Sequence, residues 1–237
     1  MCLNANPAQR KDVYPGRSVE PSLNPLDPGD TMDDAIRQRI SRIYAAIGAI
    51  EETDPKKLKA TVIQTEKIYA VFQDFRGGYS DDELSNQTHT VIHNIANLRD
   101  NLRRWAANNG HDKNKVDTAV DNSFELQVIQ DLSNNDKHGY PPRDGGHSKK
   151  SPQLIEINRV MRLQTQAKKG SMVAMTLGPG GVPRFHGDGT AKAVVTGDVV
   201  DNVNGRIGDL YEIEIKAVEA WEGLLADLGL AGVKNGT

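Results

Sequence analysis

Three polar residues at the end of one helical segment are the first candidates for chemistry. On a 100° wheel Asp131, Asn135 and His138 fall on the same side as Val120, Phe124 and Val128, so polar groups continue a stripe that is apolar two turns earlier. Burying them without partners would cost roughly a few kcal/mol. They therefore either emerge into solvent or satisfy one another and line a site. A solvated helix end is the plainer reading, and His138 would also sit well at the negative end of the helix dipole. The second candidate is His89 with His93, whose i, i+4 spacing puts two imidazoles on one helix face, as a metal pair requires. Asp100 shares that face. The face lies opposite the apolar seam of its helix, so it is expected to be solvated or to meet another subunit, and no metal is expected. Gly178-Pro179-Gly180-Gly181 lacks the Lys-Ser/Thr of a phosphate loop and reads as a turn. His186-Gly187-Asp188-Gly189 also reads as a turn. No Ser-His-Asp spacing stands out, and the single cysteine, Cys2, is poorly placed for a preorganised nucleophile.

The elements that must position these residues follow from periodicity. Thr31 and Asp34 resemble a capping box, after which Ile36, Ile40, Ile43, Tyr44, Ile47 and Ile50 recur at helical spacing. Asp54-Pro55 reads as the start of a second helix, lined by Leu58, Val62, Tyr69 and Phe72 and closed by Gly77-Gly78. Ser80 and Glu83 make a capping box for the third. Its Leu84, Thr88, Val91, Ile95, Leu98, Leu102 and Trp105 form a seam about 40 Å long, and Asn108-Asn109-Gly110 stops it. A fourth helix is expected from about Lys113 to His138. Four antiparallel helices with short turns predict an up-and-down bundle.

Beyond a loop at 139–152 the texture alternates. Met161, Leu163 and Thr165 followed by Val173, Met175 and Leu177 read as one hairpin. Residues 193–196 and 199–203, split by Gly197-Asp198, read as a second pair, and 154–158 fits either helix or strand. Leu210, Ile213, Ala217, Trp221 and Leu224 share a face of a last helix. The expected fold is thus α+β and mainly α. A Pro-rich flexible tail spans 1–30, a helical bundle 31–150, and a small antiparallel β region with a C-terminal helix 151–237.

Composition narrows the function classes. The chain has 237 residues and a net charge of -3, with 29 Lys+Arg against 32 Asp+Glu, which argues against non-specific duplex DNA binding. No apolar run is long enough for a membrane span, and the polar start does not read as a secretory signal. One cysteine fits a reducing compartment, so a cytoplasmic location is expected.

Two stretches carry a family resemblance. Ile95-Ala96-Asn97-Leu98-Arg99-Asp100-Asn101-Leu102 lies in the long helix, and Leu132-Ser133-Asn134-Asn135-Asp136-Lys137-His138 ends the next. Together they resemble a group of bacterial and phage proteins with an Asn-Leu-Arg helix and an Asn-x-Asp-Lys-His segment. That group looks HEPN-like, a helical bundle found in RNases, toxins and phage-defence proteins. The resemblance implies a site made of His138, Asn134 and Arg99, flanked by Asp131, Asn135, Asp136 and Lys137. It implies RNA or nucleotide as partner, a homodimer paired through the long helix, and no cofactor.

The departures shape the expectation. Ala96 replaces the group's His, Arg103 and Arg104 replace its Asp-His, and Gly139 replaces its Arg. Ser133 stands where HEPN RNases carry their phosphate-binding Arg. Metal-independent cleavage needs a base for the 2′-hydroxyl and a cation for the phosphate. His138 would be the base, and Lys137 or Arg99 the cation. The missing arginine favours a non-catalytic binding or interaction module. A metal-independent endoribonuclease of a defence or toxin system, using His138, is the alternative. In a third reading Asp136-Lys137-His138 simply pins the helix to the loop and β region.

Overall fold

The computed structural model describes residues 32–51, 54, 57–139, 145–201 and 205–230. The expected tail over 1–30 and the capping residue Thr31 lie outside them.

The chain is α+β. It runs α1 (Met32–Ile50), β1 (Lys59–Gln64), β2 (Tyr69–Asp74), α2 (Asp81–Asn108), α3 (Asn114–Asn122) and α4 (Phe124–His138). It continues β3 (Pro152–Gln164), β4 (Val173–Leu177), β5 (Pro183–Gly187), β6 (Thr190–Asp201), β7 (Gly205–Asp209) and α5 (Leu210–Asp227).

α2 forms as its sequence dictates. The Ser80 hydroxyl accepts from the Glu83 amide at 3.2 Å, and the Glu83 carboxylate accepts from the Ser80 amide at 2.8 Å, the reciprocal capping box. Its seam, from Leu84 to Trp105, is buried throughout. Ile36, Ile40, Ile43 and Ile47 of α1 join that core. So do Leu126 and Ile129 of α4, Trp221 of α5, and Val195 and Val199 of β6. The Trp221 indole donates to the Ile95 carbonyl at 3.1 Å and fixes α5 against α2. Asp209 caps α5, its carboxylate accepting from the Glu212 amide at 3.2 Å.

Two expected helices differ. The segment after Asp54 is not a helix but the antiparallel hairpin β1–β2, with Val62 opposite Val71 and Gln64 opposite Tyr69. The β-branched and aromatic run favours strands, and the Thr65 hydroxyl closes the turn by accepting from the Lys67 and Ile68 amides. Phe72, expected on a buried helix face, is 59% exposed. The helix expected over Lys113–His138 is broken at Ser123, whose extended backbone (φ -116°, ψ 111°) ends α3. Its side chain starts α4 by accepting from the Leu126 amide at 3.2 Å. An uninterrupted run of four antiparallel helices over 31–138 is therefore not found.

The β region is antiparallel, as expected, but pairs differently. β3, which includes the undecided 154–158, pairs with β6, and β6 with β7. β4 pairs with β5 across the expected turn at Pro179–Gly181. The proposed hairpin of 161–165 with 173–177 does not form, and 193–201 is one continuous strand through Gly197-Asp198.

Candidate functional site

α2 and α4 meet along a polar and apolar seam. The Gln130 amide donates to the Ala96 carbonyl at 2.8 Å, Ser133 Oγ lies 2.8 Å from His93 Nδ1, and Asp136 Oδ2 lies 2.7 Å from His93 Nε2. Rising numbers on α4 meet falling numbers on α2, so the helices are antiparallel. The face of α2 carrying His89 and His93 is thus only partly solvated: it also meets α4 of the same chain. Asp100 is exposed and stays outside the cluster.

At this end of the seam His89, His93 and Asp136 each bring one metal-competent atom within 4.8 Å of the others. Asp136 Oδ1 stands 3.8 Å from His89 Nδ1, beyond hydrogen-bond reach. Beside them lies a cavity of about 130 Å³, lined by His89, Ile92, Leu132, Asn135, Asp136 and the start of β3. The Asn135 amide donates to the Pro152 carbonyl at 2.8 Å, which ties α4 to β3. Two residues that line this cavity, His89 and Asn135, each carry a buried polar atom, Nδ1 and Oδ1, with no hydrogen-bond partner among the described residues.

Three turns along α2 the chemistry is closed. Arg99 donates to Asp117 Oδ1 through Nε at 3.1 Å and Nη2 at 2.7 Å, and Arg103 Nη1 donates to the same oxygen at 3.0 Å. Arg99 Nη1 lies 3.5 Å from His147 Nε2. His147 sits on the loop after α4, and Asp131 holds that loop. The Asp131 carboxylate, 1% exposed, accepts from the His147 amide at 2.6 Å, the Ser148 amide at 2.7 Å and the Ser148 hydroxyl at 2.6 Å. Gly146 has φ +68°, and a Cβ there would collide with that carboxylate.

The expected site residues therefore separate. Asp131 is a satisfied brace. Asn135 and Asp136 join the histidine cluster. Lys137 is exposed and donates to Asn97 Oδ1 at 3.1 Å. Asn134 is half-buried, and its side chain makes no hydrogen bond among the described residues. His138 is exposed at the end of α4, the plainer of the two readings of its stripe, where the helix dipole favours it. Arg99 approaches a histidine, but it is His147. Sequence reasoning missed Ser133, Asp117 and His147, and only the paired His89 and His93 carried a signal for the cluster.

Comparison of the chain with protein-family models, curated proteins and solved structures finds no match. The class that fold and site define is an α+β protein with a mainly apolar cavity, edged by a few polar side chains, between two antiparallel helices and a strand.

Proposed function

We propose that the chain is a HEPN-like binding module without catalysis, holding a base of RNA or of a nucleotide in the cavity between α2, α4 and β3. One observation carries the reading: two residues that line the same cavity, His89 and Asn135, each hold a buried polar atom, Nδ1 and Oδ1, without a hydrogen-bond partner among the described residues. Buried polar groups in native proteins are hydrogen-bonded, so two orphans on one cavity point to a ligand that completes both. Ile92, Leu132, Pro152 and Leu154 supply apolar walls for the faces of a planar base. The Asn135 carbonyl oxygen suits an exocyclic amine on its edge. Against catalysis, His138 is exposed and Arg99 is engaged by Asp117.

Fluorescence anisotropy with a labelled single-stranded RNA, competed by AMP, tests the reading. Asn135→Ala and His89→Ala should each weaken binding about tenfold, the loss of one hydrogen bond to an otherwise orphaned group. Arg99→Ala should leave the affinity unchanged. Equal affinity in Asn135→Ala would overturn the reading.

The endoribonuclease alternative is favoured by the nearness of Arg99 to an imidazole. His147, not His138, would then be the base. RNA cleavage by the parent chain that His147→Ala abolishes would establish it.

A further inference from the structure

The histidine end of the seam has a larger donor set than a nucleobase alone needs. His89 and His93 stand one turn apart on α2, their ring centroids 6.4 Å apart. Asp136 faces both from α4, 2.7 Å from one and 3.8 Å from the other. A purely structural role explains half of this. His93 bridges Ser133 and Asp136 and so locks the two helices together. It does not explain His89, whose Nδ1 is buried, aimed at the same carboxylate and unbonded. Whichever tautomer His89 adopts, Nδ1 gains no hydrogen bond from Asp136 at that distance.

A cation resolves both facts. Two imidazoles and one carboxylate form an N,N,O set that suits zinc and its neighbours among the divalent first-row metals. Magnesium and calcium prefer all-oxygen shells. Around a tetrahedral ion with bonds of about 2.1 Å, ligand atoms lie roughly 3.4 Å apart. The cluster, with its atoms within 4.8 Å, needs only side-chain rotation to reach that spacing. Ser133, 1% exposed, sits behind His93 at 2.8 Å from Nδ1. A fixed hydroxyl there orients the ring and leaves Nε2 for the ion, the usual arrangement around a metal-bound histidine. For the ion to take Nε2, the ring must carry its proton on Nδ1, bonded to Ser133 Oγ; a neutral ring reaches this by a tautomer change and a charged ring by releasing its Nε2 proton to solvent.

We propose that His89, His93 and Asp136 bind one divalent transition-metal ion, zinc fitting best, with Ser133 as the residue that positions His93 and a fourth coordination position open to the cavity. The proposal rests on the reading that this cavity is a ligand site, and it names a ligand for it. His89 and Asp136 line the cavity, so water or a heteroatom of a second ligand can reach that fourth position.

The full-length chain, freed of metal with a chelator and then desalted, is titrated with cobalt(II) and followed by its visible absorption, and with zinc by calorimetry. One equivalent should bind, with the intense bands of a four- or five-coordinate cobalt site. His89→Ala and Asp136→Asn should each weaken zinc at least 100-fold, and Ser133→Ala about tenfold. Asp136 is exposed and Asn is nearly isosteric, so that variant keeps the fold even if a histidine variant does not. Absence of stoichiometric binding, or unchanged binding in Asp136→Asn, overturns the proposal. RNA anisotropy repeated in excess chelator separates the two claims. Base binding that still depends on Asn135 without any metal response rejects the ion and keeps the ligand site. Metal binding without RNA binding does the reverse.

Discussion

Two polar clusters lie on the same helix three turns apart, and they are built differently. At Arg99 and Arg103 every charge meets its complement: two guanidinium groups share Asp117, and the neighbouring loop is sealed onto the buried Asp131 by three donors. At His89 and Asn135 the cluster stops short, with two buried atoms unpaired beside a cavity. Charge is denser in the first cluster, yet the second is the one we propose as the place for a ligand. A satisfied network stabilises the fold, whereas an unsatisfied one beside free space waits for a partner.

That contrast breaks most visibly at Asp131. Replacing it by alanine strands two buried amides and a hydroxyl, so Asp131→Ala should destabilise the chain by about 3 kcal/mol in denaturant unfolding. A loss within about 0.5 kcal/mol, the range of ordinary surface substitutions, would show that the loop is held by something else.

A buried acid outside both clusters sets the next effect. Glu214, on α5, is 2% exposed, and burial, then the charge of Asp209, pushes its carboxyl well above the usual carboxylate range. The folded chain keeps a proton that the unfolded chain releases. Stability from this group is therefore fully present below the unfolded glutamate pKa and is lost as pH rises through the folded one. Glu214→Gln, neutral at all pH, should match the parent in acid. At neutral pH it should melt about 2–4 °C higher, equivalent to about 1 kcal/mol. A parent and variant with parallel pH profiles would contradict this.

Smaller effects should mark the two clusters themselves. Asp117→Ala leaves Arg99 and Arg103 facing each other without their anion, and should cost about 1 kcal/mol, more at low salt concentration, where screening is weaker. His89→Ala removes a ring whose Nδ1 makes no hydrogen bond and stands 3.8 Å from Asp136, and should change stability by less than about 0.5 kcal/mol. Chemical denaturation of the two variants side by side checks both. A larger loss in His89→Ala than in Asp117→Ala would invert the comparison.

How much of this was readable in advance depends on the range of the signal. The Ser80–Glu83 capping box and the α2 seam are local, and both stand as the sequence implies. The β1–β2 hairpin was misread because Leu58, Val62, Tyr69 and Phe72 mimic helical spacing over two short strands. The break at Ser123 was hidden because Val116, Val120, Phe124 and Val128 keep their period across it. Strand partners were missed because β3 finds β6 across a long separation, which local alternation does not encode. The site was half legible. The i, i+4 histidines and the Asn135-Asp136 pair were both conspicuous, but only the antiparallel packing of α2 on α4 joins them. The buried Asp131 looked like a site residue because burial and function leave the same trace in sequence, a polar residue on an apolar stripe.

Thermal unfolding of the full-length chain with and without zinc, for the parent, His89→Ala and Arg99→Ala, tests the contrast between the clusters most directly. At zinc about 100-fold above its dissociation constant, the native state gains about 2.7 kcal/mol, a rise of roughly 5–10 °C for a chain of this size. The parent and Arg99→Ala should show that rise alike, and His89→Ala should show none. A rise that survives in His89→Ala, or that disappears in Arg99→Ala, would contradict the account.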